Sequence, residues 1–407
     1  MYGKLTLCLL FLFCAACVTT GSNGGAQNEG GNGQTVFSVS PAKSKIYRNA
    51  ILLSWDGVQR NHLKECLYRK ELPNLAKLIE EGTITEIYLA NKTDTKCGHA
   101  IMNTGYGPDT TGVFSNRVFK PIPGGYTIYE RAEKHFGKDN IVTIMLTGKA
   151  NHVGSKGPGT EKTRKQLRGV DGTQGLEHQG QPFHISKKGI DVWDGDKARP
   201  ATEVGPLAMK YLEENKDRKF LFFYHFSDPD HAGHARGENS KKYNNAIIIC
   251  DTWLGKIVAK LKEYGIYDET AIFVNSDHGF DEGGYGHAQA PYVFLATNVH
   301  KKLRWGLQYD VAPTVLEAIG IDSSKFEPPL WGTPLTKNRA QWMPLTSEPE
   351  KQVQKPKPKR KVQQQRKKRQ QQNRAKRKKQ QQQNPAKPKP NPKPEPDTGP
   401  PPKPAAK

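Results

Sequence analysis

The chain has 407 residues, with 62 Lys and Arg against 40 Asp and Glu, for a formal net charge of +22. Residues 351–407 carry 20 of those bases and two of the acids, so the rest of the chain is close to charge balance. The global charge therefore does not mark a nucleic-acid-binding protein, and six cysteines in so long a chain exclude a small disulfide-stapled scaffold.

In chain order, Lys4 precedes an apolar run from Leu5 to Val18. It is shorter than the roughly 18–20 residues that span a bilayer and has the proportions of a secretory signal peptide, placed here at 1–16. Ala15-Ala16-Cys17 at its end resembles a bacterial lipobox, in which the Cys carries the lipid. Cys14 stands where that motif usually has Leu, so plain secretion is the alternative. Either way the chain is expected to be exported, periplasmic or at the cell surface, with Cys17 its only route to a membrane. A Gly/Asn-rich spacer follows over 17–45. Beyond it Cys66, Cys97 and Cys250 remain, an odd number compatible with one disulfide or none.

The body, 46–346, alternates short apolar runs with longer periodic segments. Strands are expected at Ala50–Ser54, Ile141–Leu146, Phe220–Phe226, Ala271–Asn275 and Tyr292–Ala296. Helices are expected at Leu72–Glu81, Asn244–Tyr264 and Val311–Ile319. This alternation predicts an α/β domain with a mostly parallel central sheet flanked by helices. Residues 150–200 lack periodicity and read as an insertion near the site. Residues 347–407 read as a disordered basic Lys/Gln/Pro-rich tail. It has no aromatic residue for base stacking, so the tail suits a polyanion or anionic surface, or is simply a solvated extension.

Polar residues follow the expected strands, where open α/β sheets place their sites. Asp56 follows the first, Asp228, Asp230, His231 and His234 follow FLFFYHF, and Asp277 and His278 follow AIFVNS; His287 precedes YVFLA. Singly, an Asp here is commonly a helix N-cap and a His structural. Together they form an N/O donor set suited to zinc or a similar divalent ion.

These motifs carry a resemblance. WDG at Trp55–Gly57, TKCGH at Thr95–His99, DPDHAGH at Asp228–His234 and SDHGF at Ser276–Phe280 are similar to those of the alkaline phosphatase superfamily, in its type I phosphodiesterase/nucleotide pyrophosphatase branch. The resemblance spans about residues 48–345. It implies an alkaline-phosphatase-like sandwich, two divalent metal ions such as Zn2+, and a phosphoester small molecule or nucleotide as substrate. By the same carry-over Asp56, Thr95, Asp277 and His278 hold one metal, and Asp230, His234 and His287 the other. Thr95 is also the nucleophile, forming a phosphothreonine, and Asn116 with the backbone N–H near Lys96 supports phosphoryl oxygens. Asp228 and His231 are local rivals to the second set, and His300 is the rival to His287. Lys149, in LTGKANH, and then Lys96 are candidates to neutralise the extra charge of a monoester. A sulfatase would use Cys97, but Cys97 lies two positions past Thr95 and lacks the Pro and Arg of that motif. The alternatives are a phosphomonoesterase or sulfatase of the same superfamily, or a non-catalytic polyanion-binding surface lipoprotein.

Overall fold

The computed structural model describes residues 45–150, 152–157, 180–299 and 302–338. The expected signal peptide with Cys17, nearly all of the spacer, His300 and the basic tail lie outside the described residues. The strands are β1 (Asn49–Trp55), β2 (Thr83–Tyr88), β3 (Val142–Thr147), β4 (Val192–Asp194), β5 (Phe220–Phe226), β6 (Thr270–Asn275), β7 (Tyr292–Thr297) and β8 (Gly306–Leu307). They form one sheet in the order β4-β3-β5-β1-β6-β7-β2-β8. β7 is antiparallel to both its neighbours, β6 and β2, while the remaining pairings are parallel. Seven strands thus point one way and β7 points back.

Every residue of β1, β3, β5 and β6 is buried, which is why these segments read as apolar runs. Alternate side chains serve opposite faces of the sheet. Leu52, Leu221, Phe223 and Phe273 pack on one face against α3 (Thr95–Thr104), α5 (Ile128–Phe136) and α9 (Val311–Ala318). Ile51, Leu53, Phe222 and Ile272 pack on the other against α1 (Arg60–Tyr68), α2 (Pro73–Glu81), α6 (Ala201–Asn215) and α8 (Lys241–Glu263). Short α4 (Pro108–Thr111) and α7 (Asp228–Arg236) complete the helices among the described residues.

The expected strands and helices are present within a few residues of their expected ends. Other elements, among them β2, α3, α6 and β4, are not expected from the sequence; β4 lies within 150–200 and pairs with β3, so the end of that segment belongs to the sheet. β2 alternates half-exposed and buried side chains and has no apolar run. α3 is buried at every position, so it has no polar face to mark a helical period. α6 contains Gly205 and Pro206, poor helix formers that mask its pattern. Gly205 is required there, because a Cβ would lie 2.1 Å from the Trp253 ring of α8.

The central strand pair predicts its own energetics. Phe222 is fully buried and stacks on Phe220 at 4.3 Å. Phe222→Ala is expected to lower unfolding free energy by about 3–5 kcal/mol, read from the denaturant midpoint. A loss under about 1 kcal/mol would contradict this packing.

Candidate active site

The C-terminal ends of β1, β3, β5 and β6, adjacent and parallel, lie along one edge of the sheet. Asp56 leaves β1, Lys149 follows β3, α7 with Asp230 follows β5, and Asp277-His278 follow β6. Because β7 is reversed, His287, which precedes it, arrives at the same edge. Thr95 opens α3, after β2.

The first set is deeply buried: Asp56, Asp277 and His278 are each 1% exposed or less. Their ligand atoms lie within 4.8 Å of one another. His278 Nδ1 donates to the Gly279 carbonyl at 2.9 Å, which turns Nε2 toward the carboxylates. From there Nε2 is 3.4 Å from Asp277 Oδ2, 3.6 Å from Asp56 Oδ1 and 3.2 Å from Thr95 Oγ1. Burial would lower the His278 pKa, but Asp277, Asp56 and Asp230 outweigh it and raise it. Gly57, with φ +74°, lets the WDG turn pass beside Asp230 and donates its N–H to Asp277 Oδ1 at 3.1 Å.

The second set is more open. Asp230 and His234 are four residues apart on α7, hence on one face. His234 Nδ1 donates to the Tyr285 carbonyl at 2.9 Å and presents Nε2 to Asp230 Oδ1 at 3.2 Å. His287 joins them within the same 4.8 Å limit. In each set a backbone carbonyl fixes one histidine so that its other nitrogen faces the carboxylates, as metal-binding histidines are held. Asp230 Oδ1 and Asp277 Oδ2 are buried without a well-formed hydrogen bond. Orphaned carboxylate oxygens beside oriented imidazoles fit a divalent cation in each set.

Lys149 lies between the two sets. Its Nζ is 2.8 Å from Asp56 Oδ2, 2.6 Å from Asp230 Oδ2 and 3.5 Å from Thr95 Oγ1. Burial disfavours its charge, but Asp56 and Asp230 raise its pKa regardless. The Asp56 carboxyl, despite burial, is held well below the usual range by Lys149 and His225. The ammonium expected to meet a substrate anion is therefore engaged by the two carboxylates.

Thr95 is 2% exposed at the N-terminus of α3, where the helix end favours negative charge. Asn116 sits across from it, and its Oδ1 accepts the Lys96 amide at 2.9 Å. The expected free N–H near Lys96 is thus already used, and it leaves Nδ2 of Asn116 as the donor. Gly98 is dictated by contact, since a Cβ there would lie 2.4 Å from the Asp277 carbonyl. Thr95, Asn116, Lys149, Asp230, His234 and His287 line a cavity of about 280 Å³.

The rivals take other places. Asp228 Oδ2 accepts the Ala201 amide at 2.8 Å and so ties α7 to the start of α6. His231 lines the cavity but joins no ligand group among the described residues. Lys96 Nζ lies over the Phe119 ring and donates to Gln181. Cys97 is buried among Ile101, Leu307 and Tyr309, and burial pushes its thiol up to about 12. Cys66, Cys97 and Cys250 are all free and buried.

Sequence reasoning passed over His225 and His99. His225 Nδ1 accepts the Gly148 amide at 3.2 Å, so Nε2–H donates to Asp56 at 2.8 Å. Burial lowers its pKa to about 4, consistent with that neutral tautomer. His99 Nδ1 bonds the Thr95 carbonyl at 2.8 Å, with Nε2 2.9 Å from Ser54 Oγ. Asp56, His99 and His225 also lie within 4.8 Å, but their hydrogen bonds account for both rings. The lone His in the otherwise apolar FLFFYHF was the available signal, because a fully buried imidazole needs partners.

Fold and site together define an α/β protein with twin metal-ligand sets at the carboxyl edge of its sheet. A family model for type I phosphodiesterase / nucleotide pyrophosphatase matches residues 50–387, and the chain belongs to that family. An uncharacterized pyrophosphatase/phosphodiesterase of Schizosaccharomyces pombe is 25% identical over 282 residues, 68% of this chain and 51% of that protein. The bis(5′-adenosyl)-triphosphatase enpp4 of Mus musculus is 24% identical over 246 residues, 56% of this chain and 46% of that one. The chain thus spans about half the length of these relatives. In fold it resembles a protein solved in complex with its substrate D-glucosamine-2-N,6-O-disulfate, with TM-score 0.50, 15% identity, and 73% and 82% of the two chains covered.

Gly98 yields a test of the site's construction. Gly98→Ala should force α3 away from Asp277 and so displace Thr95 from His278. The expected outcome is a loss of about 1–3 kcal/mol in unfolding free energy, read from the denaturant midpoint. An unchanged midpoint would refute the contact.

Proposed function

We propose that this protein is an exported metal-dependent phosphoester hydrolase that acts on phosphodiesters or nucleotide pyrophosphates through a phosphothreonine at Thr95. The observation that carries the reading is the Thr95 hydroxyl. It sits at a helix N-terminus, 3.2 Å from His278 Nε2 and 3.5 Å from Lys149 Nζ, and lines one cavity together with Asp230, His234 and His287. A divalent cation bound in each set, Zn2+ being suited to the donors, would acidify the Thr95 hydroxyl and stabilise the leaving oxygen.

The chain's own groups supply the rest. Thr95 Oγ1 attacks phosphorus and passes its proton to solvent, the P–O bond to the departing alcohol or phosphate breaks in line, and the leaving oxygen takes a proton from water. Asn116 Nδ2 meets a non-bridging oxygen, where charge grows in the transition state, while the Lys149 ammonium stays on Asp56 and Asp230. The α3 N-terminus adds its positive end. Water then cleaves the phosphothreonine and regenerates Thr95.

A second cavity, of about 460 Å³, adjoins the first and shares Ala198 and His231 with it. Its wall includes Pro200, Ala246 and the part-exposed Ile249. A monoester needs no such space, while the second substituent of a diester does, so this cavity favours the diester. The commitment of Lys149 to Asp56 and Asp230 points the same way. The sulfatase reading loses support because the Cys97 thiol is packed in an apolar cluster. The apolar N-terminal run supports export, with Cys17 as the lipid site, and the basic tail supports attachment to a polyanionic surface.

Thr95→Ala should abolish turnover of a chromogenic phosphodiester and the acid-stable phosphoprotein trapped on quenching. Chelation should stop turnover, and added Zn2+ should restore it. Persistence of most activity in Thr95→Ala would eliminate the covalent route. Ile249→Glu should raise the KM for a bulky diester several-fold and leave kcat within about twofold. An unchanged KM would remove the second cavity from substrate binding.

A further inference from the structure

Away from both ligand sets, His62 of α1 and Glu238, just past α7, form a buried ion pair. His62 Nδ1 is 2.7 Å from Glu238 Oε1, with side chains 6% and 1% exposed. His62 Nε2 meets Asn244 Oδ1 at 3.1 Å, and the ring stands edge-on to Tyr243. Burial would strip the imidazolium proton, but hydrogen bonds to Cys66, Glu238 and Asn244 raise its pKa to about 10. Glu238 thus has a close partner in a place where an unpartnered carboxylate would cost several kcal/mol.

The other side of Glu238 holds a loop. Its Oε2 accepts the Gly283 amide at 2.9 Å, and its own amide donates to the Gly284 carbonyl at 2.8 Å. Both glycines belong to the segment Asp281–His287, DEGGYGH. That segment buries no apolar side chain, has Gly283 at φ +60°, and exposes Tyr285 to 55%. Polar contacts fix it instead: Glu238, the Gln59 amide on Glu282 at 3.0 Å, His234 on the Tyr285 carbonyl, and the Thr93 hydroxyl on the His287 carbonyl. The segment ends at His287. By contrast Asp56, Asp277 and His278 hang from β1 and β6; Glu238 bonds none of them, and the pair meets that side through the Tyr243 ring, whose hydroxyl donates to the Gly57 carbonyl at 2.6 Å.

We propose that the His62–Glu238 pair is a positioning device that sets His287 in the second ligand set and leaves the first set untouched. This rests on the reading that Asp230, His234 and His287 hold a cation. Loss of the pair loosens the glycine segment in its middle, at Gly283 and Gly284, and leaves His287 anchored chiefly by its carbonyl bond to Thr93, so that one ligand of three is poorly placed. The second site then binds its ion weakly, while the first, built on strand ends, keeps its own.

Titration of Zn2+ into the metal-stripped full chain, with bound metal counted by elemental analysis, decides it. The wild-type chain is expected to take up two equivalents. In Glu238→Ala the first equivalent should bind within about twofold of wild type, and the second about 10–100-fold more weakly, the usual effect of removing a group that supports a metal ligand. Glu238→Gln keeps an acceptor for the Gly283 amide, so it should fall between the two. Parallel weakening of both equivalents, or an unchanged second one, would overturn the proposal. If Glu238→Ala does not fold, Glu238→Gln is judged by the same split. Uptake of fewer than two equivalents by the wild-type chain would overturn the underlying site reading, and this proposal with it.

Discussion

Three carboxylates buried to 3% exposure or less converge on one edge of this sheet, and that charge must be met by cations. Asp56, Asp230 and Asp277 could not be ionised together in an apolar interior without compensation, because isolated buried charges cost many kcal/mol. Lys149 bridges Asp56 and Asp230, His225 donates to Asp56, and the Gly57 amide donates to Asp277. Even so, one oxygen each of Asp230 and Asp277 lacks a well-formed bond. The surroundings therefore favour cations, and the same demand sets the depth of the site and the identity of the residues behind it.

Topology turns this local demand into a site. The four parallel strands β3, β5, β1 and β6 deliver their ends side by side. The reversed β7 delivers its start to the same place, so a ligand lying after one strand and a ligand lying before the next can meet. The Thr93 hydroxyl bonds the His287 carbonyl, which ties the approach to Thr95 to the second set. Gly98 then brings the α3 backbone against that of Asp277. Thr95 and the first set are consequently held by close backbone packing, while the second set sits on a short helix and a glycine-rich segment.

The fold was legible where burial was complete on both faces. AILLS, FLFFYHF and AIFVN could be little other than central strands of an α/β sheet. It was illegible where burial removed the pattern, as in α3, or where half-exposure diluted it, as in β2. The site shows the same division. Asp56, Asp230, Asp277, His278 and Thr95 can be singled out as candidates because they follow strands or sit in family motifs, and the fold brings them together. His225, His62 and Glu238 were not, because their partners lie 169 and 176 positions away and nothing local announces the pairing. Lys149 was found, but its engagement by two carboxylates depends on convergence that spacing alone does not reveal. Asp228 and His231 show the reverse case, chemically suitable residues assigned elsewhere by the direction of one helix.

The reversal of β7 has a consequence for how such a site can vary. Asp277 and His287 lie on one uninterrupted connection that never has to cross the sheet. Lengthening or shortening that connection would move His287 relative to Asp230 and His234, which α7 carries, without altering any strand register. The closure of the second candidate set is therefore adjustable by insertion at a surface loop. A sheet with β7 parallel would need a helical crossover at this point and would have no such dial.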